Sequence, residues 1–240
     1  PIYPENQLPY LDSVKILIIP DASTRIAALR TGKVDQQEAL PKEDRDSLVK
    51  TCPELKEARI LGHPSAMMYM RTDKPGLPFK DIRVRRALAM AIDKVAILKE
   101  LYQGQGELLV WPLPPVPQFK DAYTPVDKLP PETRELFEYH PDKAKQLLAE
   151  AGYPHGFKTE IVCIQGYVDV LSIVAAYWAK IGVELKLDVR EYAVWNSIRS
   201  ARSHKEMFSS GMTHGYNYNF LNLGPTALHN WMMINDPYIN

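Results

Sequence analysis

The sequence predicts a mixed α/β protein in which helices flank a sheet that contains parallel strands. The first observation is a strand–helix–strand unit at residues 158–189, in which KTEIVCI and VELKLDV read as strands and VDVLSIVAAYWAKIG as a helix. The second is the alternation of short apolar runs with helical patterns before that unit. Because a helix joins the two strands of the unit, we expect them to be parallel.

The amino-terminal part of the chain predicts one strand and two helices. Residues 14–19, VKILII, are a short apolar run rich in branched side chains, which is typical of a buried strand. Asp21 and Ser23 offer N-cap oxygens for the first helix, and Gly32 stands where a left-handed residue would end it. Pro41 suits the start of a second, shorter helix.

The next part predicts strands and then a long helix. Residues 55–61 and 66–72 read as strands, the first of them ambiguously. After a proline-rich link, Asp81 can cap a helix with one buried face. Its apolar residues form a single stripe at Val84, Leu88, Ala91, Ile92, Val95 and Leu98.

Residues 104–131 hold much of the proline and cannot form a helix, so we expect a long ordered or functional loop there. Pro141 suits the first turn of a helix that Gly152 ends. Beyond the strand–helix–strand unit, a helix over roughly residues 193–203 leads to a short apolar run at 207–212.

Bulk composition narrows the class of protein. The chain has 240 residues, 45% of them hydrophobic, and its 29 basic residues equal its 29 acidic ones. Neutrality gives no electrostatic reason to expect nucleic acid or an anionic membrane as a partner. No run approaches the ~18 apolar residues of a membrane helix.

Cys52 and Cys163 could form a disulfide or be two separately buried thiols, and the tendency of free cysteines to be buried favours the thiols.

Sequence signatures of common enzymes are missing. The chain has no nucleotide-binding glycine motif, no HExxH zinc-protease motif and no GxSxG hydrolase motif. Its six histidines are scattered without i, i+4 spacing on a predicted helix, so we expect no metal and no cofactor. Carboxylates are abundant, but no pair can be given acid and base roles. We therefore expect a protein without catalytic residues.

Aromatic residues near the end of the chain are the best candidates for ligand contact. Two lie at the start of a predicted helix, and the others lie in a glycine-bounded stretch that interleaves rings with amides. Such a surface can stack on a ligand and hydrogen-bond to it, although the rings of a loop can also simply pack beneath it. The candidates are Tyr192, Trp195, Met212, His214 and Tyr216.

Tyr167 is a further candidate. It follows Gly166 just past the strand KTEIVCI, where a loop leaves the carboxyl end of a strand. Ligands favour that edge of open α/β sheets. A purely structural tyrosine is the alternative.

Three stretches resemble the family 5 extracellular solute-binding proteins, the oligopeptide-, dipeptide- and nickel-binding receptors of ABC importers. Residues 21–35, DASTRIAALRTGKVD, are similar to the family's small polar start, Arg, two alanines, Gly and Val-Asp. Residues 78–97, PFKDIRVRRALAMAIDKVAI, resemble its Pro-Phe-x-Asp-x-Arg-Val-Arg helix opening. Residues 140–157, HPDKAKQLLAEAGYPHGF, resemble its lysine–alanine–leucine helix with Ala-Gly-Tyr-Pro. The three stretches occur in the family's order and separation, and the resemblance runs over nearly the whole chain.

The resemblance implies a periplasmic-binding-protein-like type II (cluster C) fold. Two lobes, each a mixed sheet flanked by helices, would close over a solute by hinge motion. Residues 1–75 would form part of the first lobe and the approach to the hinge, and residues 76–240 most of the second. Family members are considerably longer, so we expect an incomplete chain that holds only part of the cleft.

The implied function is that of the solute-binding component of an ABC importer, in the periplasm or at the cell surface. Its partners would be an oligopeptide, a sugar or a similar small solute and an ABC permease in the membrane, without nucleic acid. The protein would be a monomer, either lipid-anchored or free. A ligand-sensing module for a signalling partner and a carboxylate-based hydrolase are the alternatives.

The resemblance also bears on the site. Peptide-binding members are similar around residues 190–216, where an aromatic residue and arginines line the cleft and an aspartate meets the ligand's amino group. Tyr192 falls near the aromatic position and Arg199 near one arginine, with a solvated charge on a helix face as the alternative. Gly215 stands at the aspartate position, which removes the partner of a peptide amine. A sugar or a modified peptide is therefore an alternative to an α-peptide.

Overall fold

The computed structural model forms two compact units. One lies within residues 1–59 and the other within residues 60–240. The predicted lobe boundary at residue 75 falls inside the second unit, and the assignment of residues to lobes stays a prediction. The residues that the structure describes are 10–19, 21–38, 40–58, 66–108, 115–211, 227 and 229–235.

The described part of the first unit contains two helices, α1 (Ala22–Arg30) and α2 (Lys42–Thr51). Asp21 caps α1 as predicted, because its carboxylate accepts the Thr24 N–H at 2.7 Å. Gly32 follows the helix at a φ of +65°, a left-handed conformation that glycine adopts at little cost. The helices bury a small apolar cluster made of Leu29, Leu48 and Cys52.

The strand predicted at residues 14–19 is wrong. These residues take part in no β-ladder, and Ile16 and Ile18 are 85% and 92% exposed. A strand needs a hydrogen-bonded partner as well as an apolar sequence, and no described residue pairs with this run. Residues 55–58 also form no strand, while 59–61 lie outside the described residues.

The second unit is built on one mixed sheet with the strand order β1–β4–β2–β3. β2 pairs in parallel with both β3 and β4, whereas β1 pairs antiparallel with β4. This arrangement confirms the predicted parallel pair and the mixed sheet. The strands are β1 (Met67–Met70), β2 (Lys158–Cys163), β3 (Glu184–Val189) and β4 (Met207–Ser210).

Six helices accompany the sheet in the described part of this unit. Apart from Pro131, which opens α5, the described part of the loop predicted at residues 104–131 contains only short 3-10 turns, at Pro117–Phe119 and Val126–Lys128. Pro141 opens its helix as predicted, and Gly152 follows it at a φ of +93°. The helices are α3 (Ile82–Met90), α4 (Lys94–Glu100), α5 (Pro131–Arg134), α6 (Pro141–Glu150), α7 (Val168–Ala179) and α8 (Tyr192–Ala201).

The single long helix predicted from Asp81 is wrong, because the structure divides it into α3 and α4. Asp93 starts the second helix by accepting the Ala96 N–H at 2.8 Å. The half-buried Lys94 ammonium donates to the carbonyl of Ala89 at the end of α3 and to that of Leu136, at 2.9 Å. Side chains therefore satisfy backbone groups that an unbroken helix would pair internally.

The two faces of the sheet pack against separate cores. One face carries Ile161 and Met207 and packs against α3, α6 and α7. The opposite face carries Val162 and Phe208, which pack against Trp195 of α8. The alternation of side chains along a strand explains this division, since neighbours in sequence point to opposite faces.

The two cysteines are unpaired and buried, which confirms the second of the two alternatives. Burial raises the pKa of the Cys163 thiol to about 11, so this thiol is uncharged at neutral pH. None of the described helices combines the length and the apolar character that a membrane span requires.

Candidate functional site

Strands β2, β3 and β4 end at the same edge of the sheet because they are parallel to one another. The 3-10 turn Gln165–Tyr167 follows β2, Tyr192 opens α8 shortly after β3, and Gly211 follows β4. Ligands of open α/β sheets bind outside this edge. We call these carboxyl ends and the start of α8 the carboxyl edge.

Tyr167 connects two of these strand ends. Its phenolic oxygen accepts the N–H of Gly211 at 2.9 Å. The Ser210 hydroxyl donates to the Gly211 carbonyl, also at 2.9 Å. The half-buried Tyr167 ring contacts both cores of the sheet. The tyrosine thus links the segments that follow the carboxyl ends of β2 and β4.

The two aromatic residues of α8 occupy different environments. Trp195 is only 3% exposed, stacks on Phe208 at 5.3 Å between ring centroids, and donates its indole N–H to the Ser209 carbonyl at 3.0 Å. Tyr192 is 63% exposed, and its ring centroid lies 5.5 Å from that of Trp195. The ring of Tyr192 is therefore accessible from solvent, while the buried Trp195 contacts it.

Arg199 lies between two indole rings. Its guanidinium carbon is 5.4 Å from the ring centre of Trp195 and 5.2 Å from that of Trp231. Trp231 also donates its indole N–H to the Arg199 carbonyl at 3.1 Å. Beside it, burial raises the pKa of the Tyr69 phenol, and the Arg199 charge opposes that effect. Cation–π contacts therefore fix this arginine on the helix.

An ion pair at the end of β3 escaped the sequence analysis. Arg190 binds Asp188 through both carboxylate oxygens, at 2.8 and 2.9 Å. The N–H of Arg190 donates to the Cys163 carbonyl at 2.8 Å, which extends the β2–β3 pairing by one step. The i, i+2 spacing of the two charges across the end of the predicted strand was the available signal, since residues two apart in extended backbone lie on one face.

The structure brings the described candidates together on one face of the sheet. Tyr167 and Trp195 pack in the same core, and Tyr192 and Arg199 each contact Trp195. The described residues contain no group of three or more His, Cys, Asp or Glu that could hold a metal ion. Three further candidates, Met212, His214 and Tyr216, lie outside the described residues.

Comparison with known proteins defines the class. The profile of the bacterial extracellular solute-binding proteins, family 5 middle, matches residues 1–227, and the chain belongs to this family. Heme-binding protein A of Haemophilus influenzae is 36% identical over 191 residues, which cover 76% of this chain and 32% of the relative. Glutathione-binding protein GsiB of Salmonella typhimurium is 30% identical over 189 residues, which cover 77% and 34%. The chain thus spans about a third of the length of these relatives.

A solved structure extends the likeness to the fold. The periplasmic binding protein DppA from Helicobacter pylori, in complex with the peptide STSA, superposes with a TM-score of 0.72 at 27% identity. The match covers 92% of this chain and 42% of DppA. The predicted periplasmic-binding-protein-like fold is confirmed.

Proposed function

We propose that this chain forms one side of the solute cleft in the binding component of an ABC importer. It captures a short peptide or peptide-like solute reversibly at the carboxyl edge and passes it to a membrane permease. The observation that carries the proposal is the exposed ring of Tyr192 above the buried Trp195, at the edge where α/β sheets bind ligands. Membership of the solute-binding family supports it.

The same proposal assigns residues to the two lobes and gives the protein's location and oligomeric state. Residues 1–75 contribute to one lobe and residues 76–240 to the other, and the protein acts as a monomer in the periplasm or at the cell surface. Binding requires no covalent step. Asp188 lies at the carboxyl edge, but both of its oxygens are engaged by Arg190, so this carboxylate is not free to act as a general base.

Solute binding is tested with three probes, which are the tetrapeptide Ser-Thr-Ser-Ala, reduced glutathione and hemin. A solute that binds only the folded protein raises the melting temperature, and at a concentration of one hundred times Kd it adds about 2.7 kcal/mol. We expect the tetrapeptide to raise the melting temperature and to be recovered intact. Failure of all three probes would contradict the proposal, and cleavage of the tetrapeptide would favour a hydrolase.

The site itself is tested by Tyr192→Ala. Loss of an exposed ring that stacks on the solute lowers affinity by about tenfold, as expected for an aromatic contact worth ~1.4 kcal/mol. Tyr177→Ala is the matched control, because Tyr177 lies on α7 against the opposite face and contacts Tyr139 at 5.4 Å. Equal affinities of the two variants would place the solute elsewhere.

A further inference from the structure

The bond between Tyr167 and Gly211 stands where the sheet's own pairing stops. The last residue of β4 in register with β1 is Ser210, opposite Met67, and the β4–β2 register reaches Phe208 and Val162. Gly211 is therefore the first residue beyond the strand, and a side chain supplies the partner for its N–H. A backbone donor outside a ladder otherwise depends on water.

The Tyr167 hydroxyl is held in place before any solute arrives. Its ring is packed against both cores of the sheet. Its own N–H donates to the Ile164 carbonyl at 3.0 Å, which closes the 3-10 turn directly before α7. Neither the ring nor the backbone can move without disturbing a core, so the hydroxyl is a rigid anchor.

Gly211 is the residue that gains most from such an anchor. Glycine has more backbone freedom than any other residue and loses the most on ordering. Here its N–H is bound by Tyr167 and its carbonyl by Ser210. The N–H and the carbonyl of Gly211 are therefore both held by side chains of the described residues.

We infer that Tyr167 is a positioning residue of the solute site. It acts through Gly211, holding the backbone at the carboxyl end of β4 in one conformation, and does not need to touch the solute. This inference rests on the proposed function, because the edge it organises is the one assigned to solute binding. The preorganisation that it supplies lowers the ordering cost of binding.

The test is Tyr167→Phe, which keeps the packed ring and removes only the acceptor oxygen. Tyr153→Phe is the matched control, since Tyr153 is also half-buried but packs against Phe157, before the start of β2. Affinity for Ser-Thr-Ser-Ala, glutathione and hemin is measured by calorimetry, and melting temperature is measured in parallel. We expect Tyr167→Phe to weaken binding by about fivefold to tenfold, the scale of one neutral hydrogen bond. The control binds like the unmodified protein.

A second readout needs no solute. Amide hydrogen exchange at Gly211 is faster in Tyr167→Phe than in the unmodified protein, because the N–H has lost its acceptor. Ser210→Ala, which frees the Gly211 carbonyl, weakens binding in the same direction, and the double variant loses less than the sum of the two.

The outcomes separate the inference from the proposed function. If the unmodified protein binds none of the probes, the proposed function fails, and exchange at Gly211 still reports on the anchor. Unchanged exchange in Tyr167→Phe overturns the inference. A lower melting temperature with unchanged affinity marks a purely structural tyrosine and overturns it as well, while the proposed function stands.

Discussion

The backbones of Gly156 and Gly182 are in contact. A Cβ on Gly156 would lie 2.0 Å from the Gly182 carbonyl oxygen, and a Cβ on Gly182 would lie 2.8 Å from the His155 carbonyl oxygen. The two glycines precede the parallel strands β2 and β3, and close by the Glu184 N–H donates to the Phe157 carbonyl at 2.9 Å. The contact therefore sets where the two strands begin to pair.

The first prediction is that Gly156→Ala is strongly destabilising. The new methyl group would overlap backbone that cannot move without breaking the strand pair, so we expect a loss above ~3 kcal/mol in urea unfolding. Gly152→Ala is the control, because Gly152 has a comparable φ of +93° but open space around it. The Gly152→Ala variant should therefore lose only the cost of placing alanine in a left-handed conformation, about 1–2 kcal/mol of unfolding free energy. Similar losses in both variants would show that the contact contributes nothing.

The second prediction concerns Arg71, whose side chain is only 9% exposed. It binds both oxygens of Asp73, at 2.6 and 2.8 Å, and the carbonyls of Arg202 and His204. Lysine cannot make these contacts together, so Arg71→Lys loses about 3 kcal/mol of unfolding free energy. We measure this loss by chemical denaturation.

Arg83→Lys is the control for Arg71. Arg83 also binds both oxygens of an aspartate, Asp81, but its side chain is 46% exposed. Solvent screens this pair, and the expected loss is below ~1 kcal/mol. If Arg83→Lys lowers the unfolding free energy as much as Arg71→Lys does, burial is not the reason for the contribution of Arg71 to stability.

The third prediction is a pH dependence that originates at His204, which is 2% exposed. Burial lowers its pKa from 6.5 to about 4, aided by the charges of Arg71 and Lys74 and opposed by the backbone of Trp231 and by Asp73. Between pH ~6.5 and ~4 the unfolded chain therefore binds a proton at this histidine, whereas the folded protein does not. Stability from this residue is complete above pH ~6.5 and falls by about 3 kcal/mol as the pH drops to ~4.

The His204 prediction is measured by comparing unfolding free energies with those of His204→Phe at several pH values. Neither ring nitrogen makes a hydrogen bond of ordinary geometry among the described residues, so phenylalanine loses no such bond. The difference between the two proteins should move in favour of the variant as the pH falls. A difference that stays constant from pH 7 to 4 assigns the acid sensitivity to other groups.

The fourth prediction concerns the N-cap of α4. Asp93→Ala removes the acceptor for the Ala96 N–H and should cost about 1 kcal/mol. Glu100→Ala at the other end of the same helix is the control, because Glu100 is exposed and its contact with Lys99 at 3.5 Å is weak. A thermal unfolding series that ranks the two variants equally would contradict the capping role.

The sequence predicted the local elements better than the long-range ones. The unit from β2 to β3 was correct because alternation and helix length are both visible within a few dozen residues. Two predicted elements were wrong because they depend on hydrogen-bond partners that the periodicity of apolar residues does not reveal. The run at 14–19 has the composition of a strand but lacks a described neighbour, and the stripe from Asp81 does not show that Asp93 restarts the helix.

The candidate site was only partly accessible to sequence reasoning. Tyr167 was found because it follows a predicted strand at the edge where ligands bind. Trp195 is buried by Phe208 of β4, a strand whose place in the sheet the sequence does not reveal. Arg199 stacks on Trp231, which lies far from it in the sequence. Pairwise contacts of this kind carry no local signal in a single sequence.

The pairing of β1 with β4 constrains how the polypeptide matures. The two strands are separated by the 136 residues from 71 to 206, yet they lie side by side in the sheet. Ribosomal synthesis proceeds from the amino terminus, so Met67–Met70 emerge long before their partner exists. Closing so distant a pair is slow, and an unpaired apolar segment is prone to intermolecular association in the meantime. Yield during biosynthesis should therefore depend on how quickly residues 207–210 follow.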